Sequence, residues 1–223
     1  MTPNYLYHRF DSFATEYDFM ATLLHKQDFF LRNLSTCRNA ALDIGCGSGI
    51  LAFELSKSYD SVVGVDISEE MLVIAQTKRA FPNVEYLYMD ANHLELNKKF
   101  DLITSSTTFH HLENLPATLQ TLKQLLNPGG KIVLRDNVSE VQTPGTIVYI
   151  IGALQDFLPD CLKYGFFKAI RLFKFRISKP WLRHLASDKY LSEQQFKEIY
   201  GNAFPNCSFI KMGCFMGVIW ENR

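Results

Sequence analysis

Ala41-Leu42-Asp43-Ile44-Gly45-Cys46-Gly47-Ser48-Gly49 is the stretch that decides the fold of this chain. A short apolar run meets an acid, then three alternate glycines, and an amphipathic stretch, Ile50–Ser58, follows. Glycine reaches positive φ without steric cost and lets a ligand approach the backbone. A helix behind such a loop presents free N–H groups and the positive end of its dipole, a setting suited to an anionic group. Strand, glycine turn and helix in this order predict the first unit of an open α/β sheet. In such a sheet, ligands bind at the carboxyl ends of the strands, where the strand order reverses.

Working outward, further short apolar runs follow at Ser61–Val65, Val84–Met89, Phe100–Thr104 and Gly130–Leu134. Their length suits strands buried on both faces of a parallel sheet. Helices are expected at Glu69–Ala80, with Ser68 as N-cap, and at Leu115–Leu126, with Pro116 in the first turn. Strand and helix in alternation predict right-handed crossovers. Phe10–Leu34 reads as one or two helices ahead of the sheet. Ser192-Glu193-Gln194-Gln195 is a capping-box helix start, and Cys207–Met212 and Phe215–Trp220 are joined too tightly to be parallel.

The dinucleotide fingerprint is G-x-G-x-x-G. Here the spacing is G-x-G-x-G behind Asp43, and the stretch resembles motif I of the class I S-adenosylmethionine-dependent methyltransferases. Val63-Gly64-Val65-Asp66-Ile67-Ser68 puts an acid 17 residues after Gly49, as that family does. Asp90-Ala91, Phe100–Ser106 with His110-His111-Leu112, and Leu126-Asn127-Pro128-Gly129-Gly130 resemble its later motifs in the same order. Phe10–Asp18 resembles the aromatic-x-x-x-Ala-x-x-Tyr-Asp entry of its small-molecule members.

The resemblance implies a seven-stranded, mostly parallel Rossmann-like sheet with helices on both faces and an antiparallel last strand. It also implies N-terminal helices and a helical lid. The whole chain would be one domain: a cap over 1–39, a cofactor-binding half over 40–137, a lid over 138–190, and a helix with a strand pair over 191–223. In S-adenosylmethionine binding, Gly45, Gly47 and Gly49 would carry the methionine part, with Ser106 beside it. Asp43 would orient the amine or, equally, stabilise the loop. Asp66 would take both ribose hydroxyls, Asp90 the adenine amino group with Ala91 adjacent, and Ile67 and Met71 the adenine faces or the core. Tyr17 would face the cofactor, and His110 is the candidate catalytic base, with a structural role left open beside it.

Composition narrows the alternatives. The chain has 223 residues, 23 basic and 23 acidic, so its zero net charge argues against non-specific nucleic-acid coating. No DNA partner is expected. Five cysteines without a C-x-x-C spacing make neither a disulfide framework nor a four-cysteine zinc site. The six histidines include no i, i+4 pair, and no metal is expected. No signal-peptide h-region or membrane span is read, so a cytoplasmic location is the expectation. The sequence leaves the oligomeric state open.

Charge is unevenly placed. Lys163–Arg183 holds seven basic residues and no acid, interleaved with aromatics; the remaining chain carries 16 basic against 23 acidic residues, a balance of −7. At 100° per residue, Phe166, Ala169, Ile170, Phe173 and Ile177 share one helical face, expected to pack on the sheet. The segment reads as a lid, as a wall for an apolar acceptor, or as a peripheral contact with a membrane surface or RNA. The expected activity is methyl transfer to a small apolar or aromatic acceptor. An RNA or protein methyltransferase docking through 163–183, and a non-catalytic cofactor-binding subunit, stand as alternatives.

Overall fold

The computed structural model describes residues 10–24, 26–141 and 145–222. The expectations placed on residues 1–9 and on the 142–144 part of the lid lie outside these. The strands are β1 (Ala40–Ile44), β2 (Ser61–Asp66), β3 (Val84–Tyr88), β4 (Phe100–Ser106), β5 (Leu126–Asn137), β6 (Ser208–Met212) and β7 (Phe215–Glu221). They form one seven-stranded sheet in the order β3-β2-β1-β4-β5-β7-β6. All neighbours are parallel except β5–β7 and β6–β7. The order reverses between β1 and β4, so the glycine turn after β1 and the end of β4 flank the crevice.

Helices α1 (Ala14–Leu24) and α2 (Asp28–Leu31) precede the sheet. Crossovers run through α3 (Ile50–Ser56), α4 (Glu69–Lys78) and α5 (Leu115–Leu125). Ser68 caps α4, its hydroxyl accepting from Met71 N–H at 3.2 Å. The expected capping box opens α9 (Glu193–Ala203): Ser192 Oγ accepts from Gln195 N–H, and Gln195 Oε1 accepts from Ser192 N–H. Leu42, Ile44, Val63, Ile103, Leu119 and Ile132 are among the fully buried side chains of the core.

β5 begins at Leu126 rather than Gly130. Leu126 pairs with Phe100, the register then shifts, and Gly129 (φ 72°) carries the chain through the irregularity. The Asn-Pro-Gly-Gly turn is thus absorbed into the strand as a bulge.

Residues between β5 and α9 form α6 (Thr146–Tyr164), α7 (Phe166–Arg176) and α8 (Lys179–Leu185). The buried face of α7 is Ala169, Leu172 and Phe175, whereas Phe166 is 57% exposed. That corrects the expected face. Leu172 and Phe175 pack with Phe13 and Met20 of the N-terminal segment, not with the sheet, so the stripe is rotated toward that partner. The basic charges are partly neutralised: Arg171 pairs with Glu16, and Arg176 with Asp160 and Asp156. An exposed apolar stripe lies instead on α6, through Ile147, Ile151, Leu154, Leu158 and Leu162. Among the described residues, no helix is long and apolar enough to cross a membrane.

Candidate active site

The glycine loop is held by its own backbone. Gly45 N–H and Cys46 N–H donate to Val65 C=O, and Gly49 N–H donates to Cys46 C=O at 2.9 Å. Gly47 N–H donates to Asp66 Oδ2 at 2.7 Å. Asp66 Oδ1 accepts from Ser68 N–H at 2.9 Å. The N–H groups of all three glycines are therefore committed within the protein. Burial holds the Asp66 carboxyl above its ordinary value, despite these two N–H bonds.

All three glycines have positive φ, at 66°, 52° and 82°. At Gly45 a Cβ would fall 2.1 Å from Thr108 Oγ1, and at Gly49 it would fall 2.5 Å from the Tyr86 hydroxyl. At Gly47 it would meet no protein atom. Only Gly47 therefore leaves its space open beside the backbone.

A cleft of about 1010 Å³, including its open mouth, lies at the strand-order reversal. Tyr17, Gly45, Gly47, Asp66, Ile67, Met71, Asp90, Ala91 and Ser106 all line it. Asp43, Gly49 and His110 are not on its wall. Asp43 sits buried within β1, accepting from Thr104 Oγ1 at 3.0 Å, and burial pushes its carboxyl up to about 7. Gly49 begins α3 in the left-handed conformation and fits against Tyr86. Cys46 is buried, and desolvation followed by the nearby carboxylates raises its thiol well above the usual range. Such a thiol is inert packing.

His110 faces inward. Its backbone N–H donates to Asp136 Oδ2 at 2.8 Å, and its Nδ1 lies 2.6 Å from Asp136 Oδ1. Burial opposes its protonation, but the Asp136 carboxylate outweighs this and holds the imidazole above its ordinary value. Among the described residues, the imidazoles on the cleft wall are His111 and His184, beside Phe10. Asp188 stands behind them, 2% exposed.

The wall contains residues that sequence reasoning missed: Met89, Asn92, Thr107, Thr108, Leu112 and Glu113. Thr107 holds φ 56°, an outlier for a β-branched residue. Its side chain hydrogen-bonds Tyr17, whose hydroxyl burial raises above its ordinary pKa. Asp90 Oδ1 accepts from Asn92 N–H and its side-chain amide, so the turn after β3 is self-capped. Arg135 reaches across to Ser106 Oγ at 2.8 Å, between the rings of Phe30 and Phe215. Ion pairs from Asp18 of α1 to Lys78 and Arg79 fasten the N-terminal segment over α4.

The lining includes three carboxylic acids, Asp66, Asp90 and Glu113, and no lysine or arginine among the described residues. Such a wall favours a ligand carrying positive charge and hydroxyl or amino donors. The cationic sulfonium nucleoside of the resembling family fits it; a pyrophosphate does not.

Comparison with known proteins agrees. Residues 41–130 match the model of a methyltransferase domain. The chain is 33% identical to malonyl-[acyl-carrier protein] O-methyltransferase of Bacillus cereus over 130 residues, 55% of this chain and 48% of that protein. It is 33% identical to demethylmenaquinone methyltransferase of Lactococcus lactis over 141 residues, 56% of this chain and 55% of that protein. The chain thus spans about half the length of the curated relatives it matches. Among solved structures, a DhpI–SAH complex superposes with TM-score 0.64 at 18% identity, covering 96% of this chain and 92% of that one. The [4+2]-cyclase SpnF shares the fold at TM-score 0.55 and 15% identity, covering 83% of this chain and 58% of that one, so the fold alone does not fix the reaction. Residues 41–130 thus carry a methyltransferase domain, and in motif order and sheet topology the chain is similar to the class I S-adenosylmethionine-dependent methyltransferases.

Proposed function

We propose that this chain methylates a small acceptor with an apolar or aromatic body. The observation that carries the reading is the acidic cleft at the strand-order reversal, with the glycine-loop donors already spent on the protein itself. S-adenosylmethionine, when bound, supplies a methyl group on a positively charged sulfur, activated without a metal or a covalent enzyme intermediate.

In this reading Asp66 accepts from the ribose hydroxyls. Its oxygens each take one backbone N–H, and a carboxylate has about four lone-pair sites, so acceptor capacity remains. Asp90 accepts from the adenine amino group, while Ile67, Met71 and Ala91 provide apolar contact. Gly45 and Gly47 allow close approach of the methionine part, with Ser106 beside it. Asp43 and Gly49 act from beneath, by fixing the loop. Tyr17 and Phe10 close the cleft and exclude water, which a displacement at carbon needs for alignment more than for acid or base help.

His111 and His184 are the polar groups of the aromatic wall, and His111 takes the place first given to His110 as the group facing an acceptor proton. The demethylmenaquinone methyltransferase relative is named for a quinone-type acceptor, which suits a wall of Phe10, His111 and His184. Docking of RNA or protein through 163–183 is the weaker reading, because Arg171 and Arg176 are already paired with acids.

The test is formation of S-adenosylhomocysteine by the chain with a panel of phenols, quinols, amines and a malonyl thioester. Product with at least one small acceptor is expected. No product across the panel, with cofactor binding intact, would leave a non-catalytic binding subunit.

A further inference from the structure

At the wall of the cofactor cleft and behind it, three imidazoles converge on one buried carboxylate. His110 Nε2 lies 3.9 Å from Asp188 Oδ2, and His184 Nε2 lies 3.8 Å from the same oxygen. His111 Nδ1 lies 3.8 Å from Asp188 Oδ1. One donor atom each from His110, His111 and Asp188 falls within 4.8 Å of the others. The four residues come from the turn after β4 and from the end of α8 with the chain beyond it.

We propose that His110, His111 and Asp188 form a binding site for a divalent transition-metal ion of the zinc type, with His184 packed beside the carboxylate.

Four observations carry this. First, the separations exceed hydrogen-bond length, about 2.7–3.2 Å. They approach the edge of a tetrahedron with metal–ligand bonds of about 2.0–2.1 Å, roughly 3.4 Å. Second, the donor set of imidazole nitrogens and a carboxylate oxygen is the chemistry such ions select. Third, two ligands have the outer partners that metal sites use. His110 Nδ1 is bonded to Asp136 Oδ1 at 2.6 Å, which turns Nε2 toward Asp188. Asp188 Oδ2 accepts from the Tyr190 hydroxyl at 2.9 Å. A carboxylate behind a histidine and a hydroxyl behind a carboxylate orient ligands in this way. Fourth, His110, His184 and Asp188 are nearly closed off, at 6%, 5% and 2% side-chain exposure, whereas His111 is 24% exposed and lies on the cleft wall. The site is thus closed on the protein side and meets the cleft through His111.

The inference stands on this geometry and does not depend on methyl transfer. The experiment is titration of the tag-free, metal-stripped full chain with Co²⁺, followed by its visible absorption, and displacement by Zn²⁺. One ion per chain is expected, with the intense bands of a four- or five-coordinate nitrogen and oxygen site. Asp188→Asn and His111→Ala should each weaken binding more than tenfold. Asp136→Asn, which removes only the outer partner, should weaken it by about 10- to 100-fold. His93→Ala, at an exposed imidazole that is not among the cluster residues, should leave it unchanged. Circular dichroism of each variant separates lost ligation from lost folding, and His111→Ala is the variant least buried. A spectrum of six-coordinate hydrated cobalt with the wild-type chain would overturn the proposal. So would equal affinity in wild type, Asp188→Asn and His111→Ala.

Discussion

Asp66 Oδ2 accepts the backbone N–H of Gly47 at 2.7 Å, tying the end of the second strand to the glycine loop after the first. With Ser68 N–H on its other oxygen, this carboxylate fixes the loop and still faces the cleft. The acid therefore shapes the site and forms part of its wall. The loop, having used its glycine N–H donors internally, presents open backbone at Gly47 under a negative rim. That arrangement separates a sulfonium nucleoside site from a dinucleotide site built on a similar turn.

The glycines are not equivalent. Gly45→Ala meets Thr108 in addition to an unfavourable positive φ, and should lose about 2–4 kcal/mol of stability. Gly47→Ala has only the backbone cost, about 1–2 kcal/mol, and should fold. Urea unfolding of both variants distinguishes them; equal losses would contradict the packing described at Thr108.

Asp43 makes stability depend on pH. Burial raises its carboxyl to about 7, against an ordinary value near 3.8, so the folded chain holds a proton that the unfolded chain releases. Its contribution is fully present below the unfolded value and is lost as pH rises through about 7. Asp43→Asn keeps an acceptor for Thr104 Oγ1 and removes the titration. It should flatten the stability profile between pH 4 and pH 8 by on the order of 2–4 kcal/mol, and be at least as stable as wild type at the upper end. Thermal melts across this range check it; parallel profiles would refute the assignment.

His110 and His111 should separate by readout. His110→Ala leaves the buried Asp136 without its imidazole partner and should cost about 1–3 kcal/mol of stability. His111→Ala, on the cleft wall, should cost less than about 1 kcal/mol. It should lower kcat at least tenfold, in the range of about 10²–10⁴ for a lost proton acceptor, with little change in cofactor affinity. Unaltered kcat in His111→Ala would remove that residue from the acceptor side.

Two arginines of the basic segment should also differ. Arg176, with a 15% exposed side chain, bonds Asp160 at 2.6 Å and joins α7 to α6. Arg176→Met should destabilise by about 1–3 kcal/mol, because it strands a mostly buried acid. Arg171 and Glu16 are 45% and 40% exposed, and Arg171→Met should change stability by less than about 1 kcal/mol. Chemical denaturation measures both, and the reverse ranking would contradict the packing of the lid.

What could be read from sequence was local. The run from Ala41 to Gly49, the acid at Asp66 and the Ser68 cap depend on neighbours a few residues apart or on one strand–helix step, so spacing revealed them. The face of α7 was misjudged, because its partner is Phe13 and Met20, more than 140 residues earlier in the chain. Asp43, which the sequence lets orient the amine or equally stabilise the loop, bonds Thr104, and Gly49 packs against Tyr86, both partners coming from other strands. His110 and His111 both follow the fourth strand, and the sequence does not say which imidazole Asp136 holds. The His184–Asp188 spacing of four joins a histidine to an acid and not to a second histidine, so histidine spacing alone does not show it.

The central claim is that the Asp66 carboxylate and the acidic cleft bind S-adenosylmethionine. Titration calorimetry of wild type and Asp66→Ala tests it most directly. Charge-assisted hydrogen bonds contribute about 1.5–3 kcal/mol each, so loss of the carboxylate should weaken binding at least tenfold. A nicotinamide dinucleotide should not compete for the wild-type site. Equal affinity in the two proteins, or displacement by the dinucleotide, would contradict the account.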